Sequence, residues 1–267
     1  MDENYININR DAWNKKTGIH LESEFYDNES FIENTNSLKQ IELELLGDIR
    51  GKSVLHLQCH FGQDSISLAK LGAKITAVDL SDKAIDAANI LAKKTNAEVD
   101  FICCNVYDLP KHLSKKFDIV FASYGVIGWL PDLKKWAEVV AHFLKPDGEF
   151  IFVEFHPFIW MYDDDFDTVT YRYFNSGEIV EDVKGTYANR DAEIEYKTIC
   201  WNHSTSEVLN SLIKAGINIE QFNEYDYSPY NCFKHTLQIG TDKFIIKHLG
   251  NKIPMTFAIR GRKVQTI

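Results

Sequence analysis

The 267-residue sequence contains no apolar run of 18 residues, which is about the length that a membrane-spanning helix needs. Its first residues, Met1 to Tyr5, lack the basic and then apolar stretch of a signal peptide. We therefore expect a cytoplasmic protein with no membrane partner. The five cysteines form no CxxC pair and no cluster with histidines, which predicts reduced thiols and no metal site. Cys103 and Cys104 fall in an apolar run and are expected to be buried strand residues.

Basic residues are scarce, with 29 Lys and Arg against 39 Asp and Glu and a formal net charge of −10. Nucleic acids and anionic membranes are bound largely through Lys and Arg. We therefore expect a small-molecule substrate and no nucleic-acid partner, with a cationic or neutral ligand easiest to accommodate. A hydrophobic content of 45% is enough for a full core in one large domain, or in one domain carrying an insertion. Either a monomer or a homodimer is compatible with the sequence.

Between Lys52 and His156, short β-branched runs alternate with helical patterns, which is typical of βαβ units around a parallel sheet. Ser81 and Asp132 are placed to cap the second and third of the helices. Five strands interleaved with helices predict a doubly wound α/β fold. The predicted strands are 53–57, 74–78, 99–103, 117–122 and 150–155, and the predicted helices are 64–71, 82–94 and 133–144.

The flanking segments have other patterns. Residues 1–50 are predicted to form an N-terminal helical cap on the cofactor-binding core at 51–157. Residues 158–202 are rich in Tyr, Thr, Val and acids, and predict an inserted β-hairpin over the active site, with Asn175-Ser176-Gly177 as the turn between its strands. Residues 203–267 are expected to complete the sheet with one helix and two strands, at 204–215, 218–225 and 255–262.

Two strand ends carry the strongest functional signal. The first strand runs into a tight loop, Gln58-Cys59-His60-Phe61-Gly62, and the second strand ends at Asp79. In doubly wound folds the ligand lies across the carboxyl ends of the strands, where an acid closing the second strand is placed to accept both hydroxyls of an adenosine ribose. Asp79 might instead cap the next helix, but Ser81 is better placed for that.

These segments resemble the class I methyltransferase family, whose first motif reads roughly Val-Leu-Asp-Leu-Gly-Cys-Gly-Thr-Gly and whose second strand ends in Val-Asp-x-Ser. Three more segments add to the resemblance, which spans about residues 52–156: Asn105–Pro110, Phe117–Val120 and Leu144–Gly148. The variant His-Leu-Gln-Cys-His-Phe-Gly-Gln-Asp at 56–64 is similar to a bacterial subgroup of that family. The resemblance implies a three-layer, doubly wound, seven-stranded sheet with the last strand antiparallel, and S-adenosyl-L-methionine as the cofactor.

The resemblance also implies residue roles. Asn105 would face the adenine amino group, and the backbone N–H of Val106 a ring nitrogen. Gln58 and His60 stand where the family has glycines, and they either contact the methionine end of the cofactor or point away and cap the loop. The predicted cofactor-binding residues are Gln58, Cys59, His60, Gly62, Asp64, Asp79, Leu80, Asn105, Val106 and Ser123.

The acceptor region is predicted at the ends of the fourth and fifth strands. Tyr124 and Trp129 follow the fourth strand, and aromatic faces attract a sulfonium cation, although core packing is an alternative for both. His156 follows the fifth strand and is a candidate base, with His203 as a second; a histidine that only satisfies hydrogen bonds is the alternative for each. We take His156 and Tyr124 as the catalytic candidates.

The sequence thus predicts methyl transfer from S-adenosylmethionine to a small molecule, with the acceptor atom open between O, N and C. A nucleotide-dependent oxidoreductase of the same fold class is disfavoured because there is no G-x-G-x-x-G. A non-catalytic ligand-binding protein on this fold is the remaining alternative. Between Trp160 and Cys200 there are ten acids and four bases, a composition that opposes a phosphate backbone.

Overall fold

The structure, a computed structural model, describes residues 4–264. Its strands, in chain order, are β1 (Ser53–Leu57), β2 (Lys74–Asp79), β3 (Val99–Cys103), β4 (Phe117–Ser123), β5 (Leu144–Phe155), β6 (Ile179–Lys184), β7 (Glu195–Cys200), β8 (Ile217–Tyr225), β9 (Thr236–Gly240), β10 (Lys243–Ile246) and β11 (Thr256–Lys263). The α-helices are α1 (Asn4–Leu21), α2 (Asn28–Asn34), α3 (Gln40–Leu46), α4 (Gln63–Lys70), α5 (Asp82–Lys94), α6 (Leu109–His112), α7 (Leu133–Phe143) and α8 (Thr205–Lys214).

A seven-stranded sheet in the order β3-β2-β1-β4-β5-β11-β8 forms the centre of the fold. Strands β1 to β5 pair in parallel, and β11 is antiparallel to both β5 and β8. One face of the sheet packs against α7 and α8 through Trp136 and Val208, and the other against α3 to α5 through residues such as Leu45 and Leu68. The predicted three-layer, doubly wound sheet with an antiparallel last strand is confirmed.

The local signals that predicted these elements act as expected. Ser81 Oγ accepts from the Ala84 N–H at 3.0 Å and so caps α5, and Asp132 caps α7 through the Lys135 N–H. Gly72 follows the end of α4 with φ +92°, a conformation that glycine adopts without steric cost. Within residues 4–264, no helix is both long enough and apolar enough to cross a membrane.

The predicted position of the hairpin turn is wrong. Strands β6 and β7 pair antiparallel, but both lie after Gly177, so the turn between them is at 185–194. Gly185, at φ +66°, starts this connection; a Cβ there would lie 2.3 Å from the Arg190 carbonyl oxygen. The Thr186 hydroxyl then accepts from the N–H groups of Ala188 and Asn189. Asn175 to Gly177 does form a turn, but it leads into β6.

Several elements were not located from the sequence, among them the hairpin β9–β10 and helix α1. The hairpin β9–β10 falls in a stretch for which no element was predicted. Helix α1 bridges the inserted hairpin and the core: the Asn9 side chain exchanges two hydrogen bonds with the Ile199 backbone, at 2.8 and 2.9 Å. At the core, Asn14 accepts from Ser81 Oγ at 2.6 Å and donates to Asp82 at 2.8 Å. This helix therefore forms a roof along the carboxyl ends of the strands.

Candidate active site

The loop after β1 follows the path of a glycine-rich loop without most of its glycines. Gln58, His60 and Gly62 have φ values of +57°, +51° and +83°. The first two lie at the positions where glycines were expected, and positive φ is a conformation that L-residues seldom adopt. The backbone therefore keeps the expected course, and side-chain contacts offset its strain.

Those contacts tie the loop to its surroundings. Gln58 Nε2 donates to the Val126 carbonyl at 2.8 Å, which joins the β1 loop to the loop after β4. The His60 ring packs among the rings of Trp13, Tyr26 and Phe61, and its Nε2 lies 3.3 Å from Nδ1 of His20. Burial holds the pKa of His60 well below its usual value, so the ring is neutral near pH 7.

We expect the double variant Gln58→Gly, His60→Gly to keep a cooperative melt and measurable binding of S-adenosylhomocysteine. Glycine at positive φ removes a strain of about 1–2 kcal/mol per residue, which offsets a lost hydrogen bond of about 1 kcal/mol. Gln58→Ala is the matched control, since it loses the same hydrogen bond but keeps the strain, and should be less stable than Gln58→Gly. Thermal melts and calorimetry measure both properties. Loss of the cooperative transition in the double variant would show that side-chain contacts, and not the backbone course, determine the loop.

Asp79 ends β2 beside this loop and is held by two backbone donors. Its Oδ2 accepts from the His60 N–H at 2.8 Å and its Oδ1 from the Ser81 N–H at 2.9 Å. Burial raises the pKa of Asp79, while these N–H groups act in the opposite direction. A carboxylate has about four lone-pair sites, so these donors fix its direction and leave capacity to accept from hydroxyls.

A cleft of about 490 Å³ opens along the ends of β2 and β3. Its size is in the usual range for small-ligand sites. Two of its lining residues, Leu80 and Asn105, were predicted to bind the cofactor, and two others, Ile6 and Arg10, come from the roof helix α1. The full lining consists of Ile6, Arg10, Leu80, Asp82, Cys103, Cys104, Asn105, Asp108 and His112.

The cysteines in this lining differ from expectation. Cys103 is exposed and Cys104 half-buried, so the prediction of two buried strand residues is wrong. The reason is that β3 lies at the edge of the sheet, where one side has no neighbouring strand. Within residues 4–264, no group of His, Cys, Asp and Glu side chains is arranged to hold a metal ion.

Asn105 and Val106 lie at the end of β3. Asn105 Oδ1 accepts from the Tyr107 N–H at 3.1 Å, which leaves one lone pair on that oxygen and the whole amide nitrogen. Val106 opens a short 3₁₀ helix (Val106–Asp108), so its N–H has no acceptor within that helix. Both groups thus keep the hydrogen-bonding capacity that an adenine ring requires.

Three other predicted residues lie deeper in the site. Asp64, in the first turn of α4, accepts from Ser37 Oγ at 2.6 Å and from Ser123 Oγ at 3.0 Å. Cys59 is buried, and burial raises the pKa of its thiol well above the usual value. Asp64 therefore joins the cap, the β1 loop and the end of β4, so its present contacts are structural.

Tyr124 begins the β4 loop in a strained conformation, with φ +35°. Its hydroxyl donates to Glu42 Oε2 at 3.0 Å, and Glu42 is fully buried on α3. Burial, reinforced by the nearby charge of Asp64, raises the pKa of Glu42 to about 8. The other oxygen of Glu42 has no partner among the described residues. This proton-holding pair was not predicted, because 82 residues separate its members.

Glu154, on β5, organises the rest of the β4 loop. Its side chain is 1% exposed, and its two oxygens accept from four backbone N–H groups, those of Gly125, Val126, Ile127 and Phe155. Trp129 Nε1 adds a bond to the Gly125 carbonyl at 2.7 Å. The loop that carries Tyr124 and Trp129 is thus shaped around one buried carboxylate, a role that the sequence did not reveal.

The two candidate histidines are both engaged in structural contacts. His156 Nε2 lies 2.8 Å from Glu224 Oε1, and its Nδ1 accepts from the Phe158 N–H at 3.1 Å. His203 Nε2 lies 2.8 Å from the Leu130 carbonyl oxygen, and its ring is buried. This geometry favours the interpretation that both rings satisfy local hydrogen bonds. Tyr124 remains a catalytic candidate, because its hydroxyl bonds the buried Glu42 and lies close enough to Asp64 to feel its charge.

Part of the chain matches a known family. A family model described as a methyltransferase domain matches residues 54–148, which include β2 to β4, all of β1 but its first residue, and the Asp79 and Asn105 positions. The ubiquinone biosynthesis O-methyltransferase of Coxiella burnetii is 32% identical over 115 residues, which are 43% of this chain and 47% of that relative. The chain therefore spans about half the length of the curated relatives it matches.

Solved structures match over more of the chain. An S-adenosylmethionine-dependent methyltransferase from Clostridium acetobutylicum has a TM-score of 0.57 at 15% identity, covering 92% of this chain and 95% of its own. Geranyl diphosphate C-methyltransferase from Streptomyces coelicolor, solved with Mg²⁺, geranyl diphosphate and S-adenosylhomocysteine, has a TM-score of 0.55 at 15% identity, covering 88% of this chain and 79% of its own. The fold is that of the class I methyltransferases.

Proposed function

We propose that this protein transfers a methyl group from S-adenosylmethionine to a small-molecule acceptor. The observation that carries the proposal is the arrangement at Asp79: a carboxylate fixed by two backbone N–H groups, beside a strand-end cleft lined by Asn105. The match of residues 54–148 to a methyltransferase domain supports it. A pyrophosphate ligand is disfavoured, because the bulky side chains of Gln58 and His60 occupy the positions where that ligand needs glycines.

The residues present fit this cofactor. Asp79 would hold the ribose hydroxyls, Asn105 and the Val106 N–H the adenine, and the loop from Gln58 to Gly62 the methionine end. S-adenosylmethionine supplies an electrophilic methyl group on a sulfonium centre. The protein's part is to exclude water and to hold the acceptor atom in line with the sulfur–methyl bond, so orientation supplies much of the rate.

Tyr124 and Glu42 would manage the acceptor's proton. Once Glu42 is ionised, the Tyr124 hydroxyl can pass its proton to Oε2 and accept one from the acceptor, leaving Glu42 neutral. Because the pKa of Glu42 is about 8, its ionised fraction rises as the pH approaches 8, and the rate of proton transfer by this path should rise with it. Acceptors that are already deprotonated need no such path.

Replacing Asp79 tests the cofactor assignment. We expect Asp79→Ala to weaken S-adenosylmethionine binding by about 1.5–3 kcal/mol, the range for losing a charge-assisted hydrogen-bond acceptor. Asn105→Ala should cost less, because water can replace a neutral contact. Asp100→Ala, an exposed acid on β3, is the matched control and should bind normally. Calorimetry with S-adenosylmethionine and with NAD measures these affinities. Unchanged binding in a folded Asp79→Ala variant, or tighter binding of NAD by the wild type, would contradict the proposal.

A labelling experiment tests the class of acceptor. With methyl-labelled S-adenosylmethionine, we expect transfer into a pool of small metabolites and none into total cellular RNA or DNA. The ten acids and four bases between Trp160 and Cys200 place net negative charge around the hairpin strands, which opposes a polyanion. Saturable, salt-sensitive labelling of the nucleic acid alone would refute this expectation.

A further inference from the structure

One lysine of the roof helix is buried against aromatic rings. Lys16 is 5% exposed, and its Nζ lies 4.3 Å from the ring centroid of Trp13, 4.7 Å from that of Trp129 and 4.9 Å from that of Tyr196. The three rings come from α1, the β4 loop and the inserted hairpin. Lysine is among the residues that are almost never fully buried unless paired.

In the part of the chain that the structure describes, no acidic side chain pairs with this ammonium. Among residues 4–264, no carboxylate or carbonyl oxygen forms a hydrogen bond or an ion pair with Lys16 Nζ. Cation–π contacts recover only part of the hydration that a buried ammonium loses. Burial therefore lowers the pKa of Lys16 to about 8.

Four titratable side chains of the described residues lie near Lys16, and all four are uncharged at neutral pH. On α1, burial lowers the pKa of His20 to about 3, and in the β1 loop burial holds the pKa of His60 well below its usual value. On β7, burial raises the pKa of the Cys200 thiol to about 12. Tyr196 is a neutral phenol in the same range, because burial raises its pKa to about 12. Lys16 is therefore the one charged group among these five side chains.

From this arrangement we infer that Lys16 binds an anionic oxygen group, such as a carboxylate, of the methyl acceptor. The inference rests on the proposed function and assigns a substrate class to the same site. Two of the three rings, Trp129 and Tyr196, lie on the β4 loop and the inserted hairpin, outside the loop and cleft assigned to the cofactor. A bound carboxylate would give the Lys16 ammonium the anionic partner that it lacks within the protein. The rings would pack against the apolar part of the acceptor.

Fluorescence of the tryptophans beside Lys16 provides a direct readout, with benzoate and acetate as probes and benzamide and acetamide as their uncharged counterparts. We expect wild-type protein at pH 7 to bind at least one carboxylate about tenfold more tightly than its amide. Lys16→Met keeps the length and apolar stem of the side chain and should abolish the preference, while Lys16→Arg should retain it. Lys15→Met, an exposed neighbour on the same helix that bonds the Glu195 carbonyl, should also retain it. Absence of any preference in the wild type, or its persistence in Lys16→Met, overturns the inference.

A pH series on the wild type keeps the inference testable if Lys16→Met does not fold. With a pKa of about 8, the protonated fraction of Lys16 falls roughly tenfold between pH 7 and pH 9, and carboxylate affinity should fall in proportion. An affinity independent of pH over this range would overturn the inference.

Two further titrations separate this site from the cofactor's own carboxylate. We expect Lys16→Met to bind S-adenosylhomocysteine within about twofold of the wild type. A tenfold loss, with unchanged binding of 5′-methylthioadenosine, which has no carboxylate, would assign Lys16 to the cofactor and overturn the acceptor assignment. The probe titrations need no cofactor, so a failure of the wild type to bind S-adenosylhomocysteine counts against the proposed function alone.

Discussion

Glu154→Ala is expected to lower the free energy of unfolding by about 3–5 kcal/mol, the usual cost of removing one side of a buried charged interaction. The change leaves the N–H groups of Gly125, Val126 and Ile127 without their acceptor in a buried loop. An unpaired buried donor costs about 1–3 kcal/mol, and water entering the cavity would recover part of the sum. Urea denaturation measures the change.

Two other glutamate variants serve as comparisons for the loss of stability in Glu154→Ala. Glu154→Gln keeps the shape of the side chain but turns its amide NH₂ toward backbone donors. Its free energy of unfolding should fall by less than that of Glu154→Ala, but by a clearly measurable amount. Glu138→Ala, an exposed residue of α7 whose nearest cation is Lys134 at 3.9 Å, should change stability by less than about 0.5 kcal/mol. If Glu154→Ala were no more harmful than Glu138→Ala, the carboxylate would not be organising the β4 loop.

Gly62→Ala is expected to lower the free energy of unfolding by about 2–5 kcal/mol and to distort the β1 loop. Part of the cost is the positive φ of +83°, which is worth about 1–2 kcal/mol for an L-residue. The rest is overpacking of about 1–3 kcal/mol, because a Cβ there would lie 2.8 Å from two ring carbons of Phe101. Denaturation gives the stability, and calorimetry with S-adenosylhomocysteine gives the effect on the loop.

Gly216→Ala separates these two contributions. Gly216 follows α8 with φ +85°, nearly the same as Gly62, but a Cβ there would meet nothing within 4 Å. It should therefore show the conformational cost alone, about 1–2 kcal/mol. Equal losses in the two variants would mean that Phe101 moves aside freely and that the close packing of α4 on β3 is unimportant.

The core of the fold was predictable because its signals are local. Short β-branched runs located β1 to β4, and cap residues such as Ser81 and Asp132 located the starts of helices. The position of Asp79 followed from the same logic, since an acid at the end of β2 must lie at the carboxyl edge of a parallel sheet. The hairpin turn was misplaced because Asn175 to Gly177 and the segment from Gly185 both carry turn residues, and only strand pairing distinguishes them.

The parts of the site that were missed depend on contacts between distant segments. In the sequence, Glu42 cannot be distinguished from the other polar residues of the short helix α3. Only the tertiary fold places it beside Tyr124. Lys16 reads as one of two adjacent lysines, of which only one points into the rings of Trp129 and Tyr196. The glycine-like backbone of Gln58 and His60 was expected from their positions, but the contacts that hold it were missed because they come from α1 and the β4 loop.

Net charge and local charge lead to different expectations for the substrate. The formal charge of −10 favours a cationic or neutral ligand, since long-range fields depend on the whole surface. A single buried ammonium acts at short range in a low dielectric, where its effect on an adjacent carboxylate is much stronger than at the surface. An anionic acceptor is therefore compatible with an acidic protein.

A crystal structure with S-adenosylhomocysteine bound tests the cofactor assignment most directly. We predict both ribose hydroxyls within hydrogen-bonding distance of the Asp79 carboxylate, with the adenine in the cleft beside Asn105 and the sulfur facing the β4 loop. A molecule bound elsewhere, or one whose ribose makes no contact with Asp79, would contradict the account.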